Sequence, residues 1–88
     1  MWVGLVVARA SSMDATWTTV HLASEFLAQG HGVAFVEPWD WEVDAARRVV
    51  FRAHVFDGDV RMSNEAIVER LQRGTAPRRL LSVRDLGL

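Results

Sequence analysis

The chain has 88 residues, half of them hydrophobic and 24% charged, the balance of one small globular domain and not of a disordered segment. Its formal net charge of −1 leaves no positive excess for a nucleic acid or an anionic membrane, so neither is an expected partner. Cysteine is absent, which removes disulfides, thiolate metal sites and a cysteine nucleophile together.

All ten basic residues are arginine. Arginine suits bidentate recognition of anions better than lysine does, but a GC-rich source would give the same bias with no functional meaning. No apolar run approaches the roughly 20 residues of a membrane span. The N-terminus lacks the basic segment, apolar core and cleavage site of a secretory signal. A cytoplasmic chain is expected.

The first apolar run, Trp2 to Ala8, is apolar on both faces and reads as a central parallel strand covered by helices on both sides. The turn Arg9 to Asp14 contains no glycine. Serine and aspartate stand where a dinucleotide-binding turn places glycine for close approach to a pyrophosphate, so a nucleotide-cofactor role is not expected there. A helix is predicted over Thr16 to Gln29, with Asp14 or Thr16 as its N-cap. At 100° per residue Trp17, Val20, Ala23, Ser24 and Leu27 share one face, which should lie on the sheet. Leu22 and Phe26 form an i,i+4 pair well round from it. They are candidate interface residues for another domain or subunit, or they are covered by the segment after the second strand. Gly30 ends the helix, and Val33 to Val36 is that second strand, which stops at Glu37-Pro38. Strand, helix and strand make a parallel βαβ unit.

Trp41–Asp44 and Val49–Phe56 alternate as a β-hairpin turned at Asp44 to Arg47. Asp57 to Asp59 is a turn, and Ser63 caps a helix over Asn64 to Arg73 with Ile67, Val68 and Leu71 as its apolar side. Gly74 closes that helix and Pro77 prevents its restart. Arg78 to Leu88 is a short strand or the lead-in to one, and a sheet ending there looks unfinished.

Few residues form a constellation with chemistry. Asp57, Asp59 and Glu65 lack calcium-loop spacing, and His21, His31 and His54 lack the spacing of metal ligands, so no metal site is expected. Ser11 or Ser12 with a histidine and Asp14 lacks a nucleophile elbow, and no catalytic residue is assigned. Trp39 and Trp41 could wall a cleft but are better read as cover for the sheet's edge. Position is more informative. Ligands of open α/β sheets bind outside the carboxyl ends of the strands, here Ala8 to Asp14 and Glu37 to Asp40. The first of these also meets a helix N-terminus. Ser11, Ser12, Asp14 and Thr16 are therefore the candidate substrate-binding residues.

The ordered run Asp14-Ala15-Thr16-Trp17-Thr18-Thr19, Gln29-Gly30-His31-Gly32-Val33 and Glu37-Pro38, with an arginine-bearing return strand over Arg47 to Phe56 after it, resembles the opening of bacterial glutathione synthetase. The resemblance is strongest over residues 1 to 56. It implies a small Rossmann-like, pre-ATP-grasp α/β domain: a parallel βαβ core with an appended β-hairpin and a second helix. That family joins a carboxylate to an amine through an acyl-phosphate made from ATP. ATP and magnesium are implied only for a full-length ligase, because the family holds both in ATP-grasp domains that these residues do not include. The implied partners are those missing domains or a partner chain, with a homo-oligomer possible. The single domain 1–88 would then be incomplete at its C-terminus, and not catalytic alone. Gln29, where the family has a basic residue, and Trp39-Asp40-Trp41 depart from its pattern and leave the substrate open. A free-standing α/β interaction or dimerisation module is the alternative.

Overall fold

The structure, a computed structural model, describes residues 2–58 and 61–86. Asp59, Leu88 and the expectations attached to them lie outside the described residues. Five strands and two α-helices make a small α/β domain with one mixed sheet. Strand β1 (Trp2–Val6) leads through a short 3-10 turn (Ala10–Ser12) into α1 (Thr18–Ala28) and then β2 (Gly32–Val36). β1 and β2 pair in parallel, from Trp2↔Gly32 to Val6↔Val36. β3 (Trp41–Val43) and β4 (Val49–Phe56) come next, then α2 (Asn64–Arg73) and β5 (Arg78–Ser82).

The antiparallel half of the sheet is built around β4. β5 pairs with β4 from Val50 to His54 and so overlaps both the β3 pairing (Val49 to Phe51) and the β2 pairing (His54 to Phe56). A strand has two edges, so β2 and β3 must share the edge opposite β5. They form one interrupted strand. Between the pairs Phe35↔His54 and Trp41↔Phe51 lie five residues on one side, Val36 to Asp40, and two on the other, Arg52 and Ala53. This wide bulge contains Pro38, which has no N–H to give a ladder.

Both helices lie on one face. Val20, Ala23 and Leu27 of α1 and Ile67, Val68 and Leu71 of α2 pack with Val33, Phe35 and Phe56 of the sheet. Phe35 meets Phe56 edge to face, with centroids 5.9 Å apart. The opposite face carries a smaller cluster of Ala34, Val36, Ala53, Val55, Leu81 and Leu86. After β5 the chain crosses beneath this second face, and the Gly4 amide donates to the Leu86 carbonyl at 3.1 Å.

Several expectations are corrected. β1 is an edge strand that pairs with β2 alone among the described strands, and it is only half-buried. No further parallel strand among the described residues flanks it, and none of the described helices lies on its second face. The helix after it starts at Thr18, two residues late, with Trp17 and not Asp14 or Thr16 at the N-cap. The reason is local: Asp14 Oδ1 accepts from both the amide and the hydroxyl of Thr16, at 2.8 and 2.7 Å, so each polar group satisfies the other. Trp17 is consequently half-exposed instead of facing the sheet. α2 spans Asn64–Arg73, with Ser63 Oγ accepting from the Ala66 amide at 3.2 Å and Gly74 left-handed at φ 68°.

Candidate functional site

The carboxyl ends of β1 and β2 open on the helix-bearing side of the sheet. The interruption between β2 and β3 runs through Glu37 to Asp40 and places two carboxylates there, and contact with β4 resumes where the Arg52 amide donates to the Asp40 carbonyl at 3.0 Å.

Glu37 ties three elements together. Its Oε2 accepts from the Ala10 amide at 3.3 Å, holding the 3-10 turn after β1. Its Oε1 lies 3.3 Å from His54 Nε2 on β4. Both side chains are nearly covered, at 14% and 12% exposure. His54 Nδ1 is buried without a partner. The network therefore assigns the ring proton to Nε2, which donates to Glu37 and leaves Nδ1 a bare lone pair and not a stranded donor.

Beside this pair lies a chain of charges. Asp40 bonds Arg78 and stands 4.0 Å from Arg52, while Arg52 reaches Glu42 at 3.4 Å. The Arg78 guanidinium also donates to the Arg52 carbonyl at 3.3 Å. These side chains come from the β2–β3 connection, β3, β4 and β5. They are half-exposed pairs in water, so each adds little stability, but together they fix the position of the β2–β3 connection.

The sequence-predicted residues separate. Ser12 joins Arg9, Trp17 and Thr19 around a shallow cleft of ≈ 270 Å³ at the N-terminus of α1. Ser11 is exposed on the same 3-10 turn. Asp14 and Thr16 are engaged with each other, and the bonds from the Thr16 amide and hydroxyl hold the Asp14 carboxyl below its ordinary value. An ionised Asp14 beside the helix N-terminus competes with any incoming anion for the same partial positive charge. Leu22 is exposed on α1, and Phe26 is half-buried against the helix-side core with its ring edge-on to His31 at 6.3 Å. Trp39 and Trp41 are both more than half exposed, Trp41 opposite Phe51 on the second face.

Glu37 and His54 were not among the sequence candidates. The signal available was the position of Glu37 at a strand's carboxyl end. What hid the pair was register: Phe35 pairs with His54, so Glu37, two residues further along the same face, is its diagonal neighbour, and no local pattern gives that pairing.

The turn after β1 does not offer the glycine-rich cradle of a phosphate site. Every position from Ala8 to Thr16 carries a Cβ, so the backbone cannot cradle a triphosphate closely there. Among the described residues no three of His, Asp or Glu are grouped to hold a metal ion. Among them too, no helix is long and apolar enough to cross a membrane.

Compared with known proteins, the chain matches no family model, no curated protein and no solved structure.

Proposed function

We propose that this chain is the substrate-side, N-terminal domain of a glutathione-synthetase-like ATP-dependent carboxylate–amine ligase, a pre-ATP-grasp domain that is not catalytic alone. The observation that supports this most is the second face of the sheet. Val6, Trp41, Val43 and Val49 project there with 42–60% exposure, while both helices lie on the other side. An apolar sheet face of this kind is cover for a further body, and a ligase would supply one in its ATP-grasp domains. The order of elements also suits the reading: strand, helix and parallel strand, then a hairpin whose return strand bears Arg52. In this reading ATP and magnesium belong to the other domains, and the carboxyl-end surface around Ser12 and Arg9 is one wall of the substrate cleft.

The test starts from the native protein in its source cells. A mass well above 9.9 kDa, with ATP-dependent phosphate release that requires both an amine and a carboxylate, is the expected result. A native mass of 9.9 kDa without such release would overturn the reading, and so would ligase turnover by the 88 residues alone.

A second reading is a free-standing interaction or dimerisation module, favoured by exposed Leu22 and by the outer edge of β5, which pairs with no described strand. It requires sedimentation that depends on concentration. A monodisperse monomer at all concentrations counts against it.

A further inference from the structure

We propose that the cleft at the amino ends of β1 and β2, which meets the Asp40 charge chain at Arg78, binds a small organic anion with a flat apolar body. This site does not depend on the ligase reading. The cleft, open to solvent along one side, has a volume of ≈ 330 Å³, and three of the ten arginines, Arg70, Arg78 and Arg79, line it together with Trp2, Met62 and Asp57. That volume is at the small end for ligand pockets, enough for a single ring with its charged group.

The fold explains why the cations converge. Arg70 stands in the last turn of α2, and the chain reverses through Gly74 and Pro77 to start β5 with two consecutive arginines. Successive residues of a strand point to opposite faces. Arg78, opposite His54, takes the helix side, and Arg79, opposite Ala53, takes the second face. The two thus straddle the mouth of the cleft. Trp2 forms its wall because its cross-strand partner is Gly32: a Cβ there would lie 2.6 Å from the indole. The Arg79 guanidinium carbon sits 5.5 Å from the Trp2 ring centroid, a cation–π contact that holds the fork in place.

Charge balance separates the three arginines. Arg78 is committed to Asp40 and to the Arg52 carbonyl. Arg70 and Arg79 form no ion pair within 4.0 Å among the described residues, although Arg79 adds to the field that lowers the Asp85 carboxyl. Asp57 is the one carboxylate among the described residues lining the cleft. Arg70 and Arg79 are thus two planar forks with no ion pair among the described residues, and they line the cleft together with an indole and a thioether. Guanidinium forks match the two oxygens of a carboxylate or phosphate, and the indole and thioether match a flat apolar body. Phosphate monoesters and carboxylates share this chemistry.

The test titrates the 88-residue chain with phenyl phosphate, benzoate and inorganic phosphate, following amide and indole N–H signals by NMR. Saturable shifts at Trp2, Arg70 and Arg79 are expected with phenyl phosphate or benzoate, and the tighter of the two identifies the charged group. Arg70→Gln and Arg79→Gln should each weaken binding about tenfold. Arg73→Gln, further along α2 and paired with Glu69 at 3.3 Å, should leave it unchanged. No saturable shifts with either aromatic anion would overturn the proposal. Equal loss in Arg73→Gln would overturn it as general electrostatics, and equal affinity for inorganic phosphate would overturn the role given to the apolar wall.

Discussion

Glu37 is the residue on which the carboxyl-end surface depends. Its two oxygens accept from groups 27 residues before it and 17 after it, so one side chain fastens the exit of β1 to the middle of β4. Truncating it strands two nearly covered donors, the Ala10 N–H and the His54 Nε2–H. A loss of about 2 kcal/mol is expected for Glu37→Ala, from the desolvation cost of unsatisfied donors. In a domain of this size that is a fall in Tm of roughly 8–16 °C. Glu37→Gln keeps one acceptor oxygen and should cost about half as much. Thermal melts of the two variants would check this, and an unchanged Tm in Glu37→Ala would mean that the contacts do not restrain the turn. Nothing in the sequence near residue 37 names residue 54 as its partner, because cross-strand neighbours are set by register and not by spacing.

Among the elements, α2 and α1 show when local signals suffice. α2 has a serine cap, a first-turn glutamate, arginines in its last turn and a left-handed glycine after it. Each satisfies an end group of the helix itself, and so α2 was legible to the residue. Ser63→Ala removes the Ala66 amide's partner and should cost about 1 kcal/mol, read as a Tm lower by roughly 4–8 °C. No change would show that water caps the helix equally well. α1 starts two residues beyond its expected place because Asp14 and Thr16, both sound cap residues, close on each other instead. The hairpin was legible from alternation, although its turn follows no Asn-Gly rule. Asp44 takes that role: it accepts from the amides of Ala46 and Arg48 and bonds the Arg48 side chain, while Arg47 adopts φ 59°. Holding the whole turn through one carboxylate is what lets a non-glycine residue sit in the left-handed region.

At the scale of the whole molecule, three turns rest on aspartates whose carboxyls lie below their ordinary value. Asp14 is held by the Thr16 amide, Asp44 by the Arg48 amide and Asp85 by the Ser82 amide, with side-chain bonds adding to each. A depressed folded pKa means that the native state binds fewer protons than the unfolded chain in that range. The stability these groups contribute is therefore present above the unfolded value of 3.8 and lost as pH falls through the folded values. Melts across pH should be level near neutrality and decline below about pH 4. Replacing all three by Asn, which keeps an acceptor oxygen and cannot titrate, should flatten that decline. An acid limb unaltered by the triple change would place its origin elsewhere.

Legible in the residues alone were the kinds of element and their order, the bounds of α2 and β4, the buried stripes Val20–Ala23–Leu27 and Ile67–Val68–Leu71, and the strand-end location of Ser12 and Glu37. Those arise from periodicity and end-capping, which act within a few residues. Long-range packing sets the rest: β1 at an edge, both helices on one face, β2 and β3 as one strand broken by a bulge, and Arg70 and Arg79 lining one cleft with Trp2. Each of these depends on which strand edge a distant segment takes. That choice is settled by the joint burial of Phe35, Phe56 and the two helices, and no local pattern carries it.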